Sequence, residues 1–221
     1  MEKGFAEKIA YLKTVEAPFV CDALLLLGID GWIDDLSPMQ KKEKSKFVGP
    51  VYPAAVGIAA PGEKFYALQE MIDACPEGHV LLVADGKGQC VMGDNAYRCA
   101  ENKKLTAVVL DGKIRDSDYI AARSMPFFSS GITGRLPKSP IQITKLGVPV
   151  ECRGLKVNPG DIAVGDCDGV VVIPQQRFEE VVSLVEKIAE IEKNAARLLD
   201  ENCAPSEILK LMRSKKELVK K

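Results

Sequence analysis

The feature that most constrains this chain is the brevity of its apolar runs. Stretches such as Ala23–Leu27, Val80–Val83 and Val170–Ile173 are closed within a few residues by glycine, proline or an acid. A membrane helix needs about 20 consecutive apolar residues, so no span is expected. Runs of this length instead suit short strands buried on both faces. Helix-period spacing appears over residues 5–13 and 19–27, with Gly28 closing the second. Strand-like segments follow at 47–52 and 54–59, then a helix over 63–74, a buried strand over 79–84, a helix over 94–103 and a buried strand over 106–110. The second half turns to short β segments (126–129, 148–153, 161–165 and 170–173), separated by turn signals such as Asn158-Pro159-Gly160 and Asp168-Gly169. It ends in one long helix over 176–199, with Val181, Leu184, Val185, Ile188 and Ile191 on one face, and a short helix opened by Pro205. With no repeat and no linker, the pattern predicts one α/β domain spanning residues 1–221 with helical ends.

Composition narrows the function classes. The 221 residues are 47% hydrophobic and carry a net charge of -1, which excludes disorder and argues against a broad basic face for nucleic acid. The acidic N-terminus lacks the apolar core of a signal peptide, so a cytoplasmic protein is expected. Seven cysteines are scattered with no C-x-x-C pair, and read as small buried hydrophobes in a reducing compartment. A single histidine, His79, excludes a His-rich metal site within one chain, so any metal must be held by oxygen, which points to Mg²⁺ or Mn²⁺. The lysine-rich stretch from Lys41 to Lys46 reads as a solvated loop.

Three glycine-containing segments invite a functional reading. Gly86-Lys87-Gly88 lacks the third glycine of a dinucleotide fingerprint. Asp166-Cys167-Asp168-Gly169 superficially suggests a calcium loop but runs straight into a strand, so a hairpin turn is expected. Gly93-Asp94-Asn95-Ala96-Tyr97, followed one connection later by Asp111-Gly112 and Arg115-Asp116, is different. A helix starting at Asp94 leaves the amides of Asn95, Ala96 and Tyr97 without intrahelical partners, a ready anion site. Arg115 offers a planar fork for a carboxylate, and Asp116 a hard oxygen for a divalent cation. The same residues equally suit a plain helix cap and a surface turn.

These blocks resemble the RraA-like family, which includes the class II 4-hydroxy-4-methyl-2-oxoglutarate/4-carboxy-4-hydroxy-2-oxoadipate aldolases and the regulator of ribonuclease activity A. The resemblance runs from Cys21-Asp22-Ala23-Leu24 and Leu27-Gly28, through Val48-Gly49-Pro50, the Gly93-Asp94 turn and Asp111-Gly112 with Arg115-Asp116. It closes with Val157-Asn158-Pro159-Gly160-Asp161 and Asp166–Pro174. It implies a swivelling β/β/α-type fold with flanking N- and C-terminal helices, assembled as a trimer or a dimer of trimers. The helices at about 176–213 would then make subunit contacts.

It also implies a metal-dependent lyase releasing pyruvate from a 4-hydroxy-2-oxo acid by retro-aldol cleavage, with oxaloacetate decarboxylation as a second reaction. Carried over, Asp116 is the metal ligand for Mg²⁺ or Mn²⁺. Arg115 grips the 2-oxo acid, Asp94 holds a water on the metal, and the Gly93 turn with the amides of Asn95, Ala96 and Tyr97 takes the carboxylate. Glu186, Glu190 and Glu192 are candidates to enter a neighbouring subunit's site. The alternative is a non-catalytic regulator that binds a ribonuclease. Family aldolases usually carry aliphatic or small residues where this chain has Asn95, Tyr97 and Arg98, which are expected to alter the pocket floor. The Lys41–Lys46 loop and Gly131–Arg135 carry no specificity signal.

Overall fold

Strand β3 (Phe47–Gly57) is the axis on which the rest is assembled. The computed structural model describes residues 4–58, 62–137 and 142–219. Before β3 come helices α1 (Phe5–Leu12) and α2 (Ala17–Leu26) and the two-residue strands β1 (Trp32–Ile33) and β2 (Ser37–Pro38). After it the chain alternates: α3 (Leu68–Ala74), β4 (Val80–Ala84), β5 (Cys90–Met92), α4 (Asp94–Asn102), β6 (Ala107–Leu110), β7 (Lys113–Ile114), α5 (Ser117–Ala121) and β8 (Phe127–Ser129). Five strands then follow: β9 (Gln142–Leu146), β10 (Val150–Cys152), β11 (Leu155–Val157), β12 (Ile162–Asp166) and β13 (Gly169–Ile173). Helices α6 (Phe178–Asp200) and α7 (Pro205–Glu217) end the fold.

Strands β3, β4, β6 and β8 pair in parallel, each joined to the next through a helix. β12 and β13 form a hairpin that runs antiparallel to the first part of β3, and β9 runs antiparallel to its last part. The apolar runs alternate between two interiors, as the two-residue period of a strand requires. Leu81, Val83, Val108, Leu110 and Phe127 pack under α3, α4 and α5. Val80, Leu82, Ala107, Val109 and Phe128 face the β10–β11 hairpin and the strands β12–β13. The outer face of that antiparallel layer, with Val164, Val171 and Ile173, is covered by α2 and α6. This is the mixed α/β, β/β/α-type domain with flanking helices that the resemblance implied.

Three local expectations change. The two segments at 47–52 and 54–59 are one strand through Gly57, because Pro53 does not interrupt it; Ala59 lies outside the described residues. Pro53 accepts from the Gly147 amide, so its nitrogen faces the same edge, at the gap between the β12 register (ending at Pro50) and the β9 register (starting at Ala54). No ladder donor is needed there. The helix expected over 63–74 starts only at Leu68, because Tyr66 bridges Ile143 and Glu70 folds back to bond the Ala67 amide at 2.6 Å. Finally, β1, β2, β5, β7, β9 and β11 have no counterpart in the sequence reading, and most are too short to show a period.

The two other motifs that suggested chemistry are structural. Asp166 pairs with Gly169 across a two-residue loop, the expected hairpin turn. Its carboxylate accepts from the Ala17 amide at 2.8 Å and the Asp168 amide at 2.9 Å, which ties the hairpin to the first turn of α2. Asp161, 2% exposed, closes the Asn158-Pro159-Gly160 turn through the amides of Asn158 (2.8 Å) and Gln175 (3.0 Å). Gly86 and Gly112 are where two loops cross: a Cβ on Gly86 would meet the Asp111 carbonyl at 2.0 Å. Close approach of two backbones, not a nucleotide, accounts for the Gly86-Lys87-Gly88 turn. Among the described residues, no helix is long and apolar enough to cross a membrane.

Candidate active site

Two short parallel strands set the site. β5 and β7 lie side by side, Cys90 opposite Lys113 and Met92 opposite Ile114. Each leads directly into a helix, α4 after Gly93 and α5 after Asp116. Parallel pairing therefore opens two helix N-termini at the same end, and Arg115 anchors the junction with its amide on the Met92 carbonyl (3.2 Å). Sequence reading placed Asp94 and Asp116 on separate connections; the structure brings them together.

Asp116 adopts a left-handed backbone (φ 58°, ψ 37°), which short polar side chains tolerate. The turn points its carboxylate back over the start of α4, where Oδ2 lies 3.3 Å from the Asp94 amide and 3.5 Å from Arg115 Nε. Gly93 makes room for this. Its φ of −142° is ordinary extended backbone, so the need is for space and not for conformational freedom. A Cβ there would stand 2.6 Å from Asp116 Oδ2, 3.1 Å from Arg115 Cγ and 3.2 Å from Arg115 Nε. The side chains of Asp94 (28% exposed), Arg115 (43%) and Asp116 (41%) remain open to solvent.

The site borders a cleft of about 310 Å³ whose lining includes Tyr66, Gly93, Asp94, Asn95, Arg115, Leu136 and Pro137. Cys90, Leu136 and Pro137 also line a second lobe of about 430 Å³, which carries Lys87, Gln89, Thr133 and Arg135. Thr133 and Arg135 of the Gly131–Arg135 segment therefore line the lobe next to the site. No local signal marks it, because it is held there by long-range backbone pairing: the Ile114–Ile132 bridge, the Ile114 amide on the Gly131 carbonyl, the Thr133 amide on the Ile114 carbonyl and the Ser130 amide on the Gly112 carbonyl. Burial pushes the Cys90 thiol up, with Arg115 opposing and Asp116 adding to the rise, so a neutral thiol lines the wall between the lobes.

Two expectations need correction. Tyr97 does not offer its amide or its ring to the cleft. The amide donates to the Gly93 carbonyl (3.0 Å), the first i→i−4 bond of α4. The ring is fully buried, and its hydroxyl donates to the Met125 carbonyl and accepts from the Met125 amide, both at 3.0 Å. The open amides at this helix start are those of Asn95 and Ala96. Nor does Arg98 form a pocket floor: it turns outward, 52% exposed, toward Asp94 and Tyr119. Of the three glutamates, Glu192 is held within the chain by Lys215 (2.7 Å), which also bonds Asp22 (2.5 Å). Glu190 accepts from Asn194 at 3.3 Å.

The donor set suits a hard divalent cation. Mg²⁺ binds through one or two carboxylates and keeps water or substrate oxygens at its remaining positions. Asp116 offers one such carboxylate on an open rim, beside the first turn of α4 that carries Asp94. A tighter grouping among the described residues, Asp166-Cys167-Asp168, has its buried carboxylate committed to the Ala17 and Asp168 amides.

The fold is of β/β/α type, with paired helix N-termini meeting at one arginine and one left-handed aspartate. The chain belongs to the RraA-like family (Aldolase/RraA), whose profile matches residues 17–172. It is 30% identical over 205 residues to a protein of Halalkalibacterium halodurans provisionally named a 4-hydroxy-4-methyl-2-oxoglutarate aldolase, covering 91% of this chain and 93% of that one. It is 29% identical over 185 residues to an uncharacterised protein of Methanocaldococcus jannaschii, covering 82% and 84% of the two chains. Among solved structures, an uncharacterised protein from Pseudomonas syringae superposes with a TM-score of 0.83 at 24% identity over 96% of both chains. Streptomyces coelicolor RraAS2, described as an unusual member of the RNase ES inhibitor RraA family, gives 0.77 at 24% identity over 88% of this chain and 99% of that one.

Proposed function

We propose that the protein is a divalent-metal-dependent lyase that releases pyruvate from a 4-hydroxy-2-oxo acid and also decarboxylates oxaloacetate. The observation that carries this reading is the notch at Gly93, which seats Arg115 and Asp116 against the open amides of α4. The 2-oxo acid's carboxylate is received by the amides of Asn95 and Ala96, at the positive pole of the helix, and by the Arg115 guanidinium. Asp116 would hold Mg²⁺ or Mn²⁺, and a bound ion would supply Lewis-acid stabilisation of the negative charge that develops on the 2-oxo group as the carbon–carbon bond breaks. Asp94 would orient a water that takes the proton from the C4 hydroxyl and relays it to the Asp94 carboxylate, from which the departing three-carbon unit regains it to become pyruvate. The same electron flow serves loss of CO₂ from oxaloacetate. No lysine lines the lobe at Gly93 and Arg115 among the described residues, so a Schiff base has no support there.

Assembly enters the same reading. Ile58, in the second lobe, is 87% exposed, and Leu136, which lines both lobes, is 60% exposed. A second copy of the chain covering them fits a trimer or a dimer of trimers with sites between subunits. The test is pyruvate release from oxaloacetate and from 4-hydroxy-4-methyl-2-oxoglutarate, with Mg²⁺ or with EDTA, for wild type and Asp116→Ala. Activity should require both metal and Asp116. Turnover that survives EDTA, or that survives in folded Asp116→Ala, overturns the proposal.

A further inference from the structure

The two helices that begin at the site acids are joined by contacts that the cleavage itself does not use. One turn beyond Asp94, the Arg98 guanidinium approaches the Asp94 carboxylate (Nη2–Oδ2 3.5 Å) and stands over the Tyr119 ring, 4.3 Å from its centroid. Tyr119 lies three residues after Asp116, so Arg98 links the first turn of α4 to the first turn of α5. Arg123 also stands over Tyr119 at 5.2 Å, and is fixed by Glu101 through Nε (3.2 Å) and Nη2 (2.6 Å). The Tyr119 ring meets the buried Tyr97 ring edge-on, with centroids 6.4 Å apart and planes at 82°. Positions 94, 98 and 101 share one face of α4, while Asp116 caps α5, Tyr119 lies within it and Arg123 follows just past its end. The contacts form a ladder running from the core to the site.

We infer that Arg98 is a positioning residue for Asp94, with Tyr119 as its platform. The physical need is specific. A carboxylate in the first turn of a helix competes for the free amides of that turn. An untethered Asp94 would turn onto the amides of Asn95 and Ala96, the donors a 2-oxo acid requires. Arg98 draws the carboxylate the other way, down the outer face of α4. Tyr119 in turn ties Arg98 to the helix that carries Asp116, so the spacing of the two acids is held from behind. The geometric part stands on these contacts alone; its consequence for turnover rests on the lyase reading.

The test pairs structure with kinetics on Arg98→Met, Arg98→Lys, Tyr119→Leu and Tyr119→Phe. In a crystal structure of Arg98→Met, the Asp94 carboxylate should leave its present position and bond the Asn95 or Ala96 amide, with Arg115 and Asp116 unmoved. Pyruvate release by Arg98→Met should fall about three- to tenfold in kcat/KM, the scale of one exposed ion pair plus one cation–π contact. Arg98→Lys should recover most of the loss. Tyr119→Leu should reproduce it, and Tyr119→Phe, which keeps the ring, should not. In an Asp94→Asn background Arg98→Met should cost nothing further, whereas mere loosening of the fold would add its full effect. An unmoved Asp94 in the Arg98→Met crystal, or an undiminished loss in the Asp94→Asn background, overturns the inference. If wild type releases no pyruvate, the lyase reading falls and the crystal comparison alone decides this one.

Discussion

Replacing Gly93 by alanine separates the chemistry of the site from the stability of the fold. On the stability side the change is mild. The backbone at Gly93 is already in a region open to any residue, and Gly→Ala at a compatible site is worth about 0.4–1 kcal/mol in favour of the folded state. Against this stands the new methyl, 2.6 Å from Asp116 Oδ2 and 3.1 Å from Arg115 Cγ. The carboxylate must retreat by roughly 0.8 Å to reach a normal contact. Both side chains are more than 40% exposed and can move into solvent, so the retreat costs little stability. It costs the geometry. A misplacement of about 1 Å lowers rate by up to about 10²-fold, and here the cation-holding carboxylate and the carboxylate-gripping arginine move together. Gly93→Ala should therefore melt within about 1 kcal/mol of wild type while pyruvate release, followed through coupled NADH oxidation, drops by about 30- to 100-fold. Gly134→Ala, where a Cβ meets nothing within 4 Å, is the matched control and should stay near wild type. If Gly93→Ala keeps more than a third of the activity, the notch does not set the positions of Arg115 and Asp116.

Three further outcomes follow from other parts of the molecule. Tyr97→Phe strands the buried amide and carbonyl of Met125 and should lower stability by about 1–3 kcal/mol in urea unfolding, with no new cavity to blame. Burial pushes the thiols of Cys75 and Cys152 up to about 12, while Cys167 is exposed at the β12–β13 turn. At pH 8 a thiol reagent should thus label Cys167 first, and reach Cys75 and Cys152 only on unfolding. Lys215 is pulled down by burial but raised on balance by its bonds to Asp22 and Glu192. A raised lysine stabilises fully below its unfolded value of 10.5 and loses that contribution as pH climbs through the folded value above it. Melting temperature should begin to fall above about pH 9, where the raised Cys75 and Cys152 thiols stay protonated only in the fold, and above pH 10.5 the fall should be shallower in Lys215→Met than in wild type.

The parts of the fold that were legible in the sequence are those whose period extends over several residues. The run Val80–Val83, the run Val170–Ile173 and the long amphipathic face of Val181–Ile188 read directly because each side chain repeats one demand, burial on a fixed side. Strands β5 and β7, which place the site, have three and two residues and show no period. Their pairing is a consequence of long-range packing that no local pattern encodes. The site residues behaved in the same way. Asp94 and Arg115-Asp116 were visible as chemistry, yet the reason for Gly93 was not, because it is space taken up by a side chain 23 positions away. Tyr97 was misjudged because its place in the first turn of α4 suggested an open amide, whereas the helix had already used it. The Gly131–Arg135 segment left no mark on the sequence, since lining a cleft asks nothing regular of a loop.

The register of β3 also fixes an order of events on the ribosome. Its middle, Val51–Ala55, pairs with Val80–Ala84 soon after both are made. Its first residues, Phe47–Pro50, wait for Ile162–Gly165, and its last, Ala54–Gly57, for Gln142–Leu146. At about 5–20 residues per second the first wait lasts roughly 5–20 s. Throughout it a half-built sheet presents an apolar edge to every other nascent chain. Pro53 lies along that strand with its nitrogen toward this edge and cannot donate to a stray partner, which is how exposed edges are kept from mispairing. The proline that the finished ladder passes over without loss is thus a guard of the unfinished one.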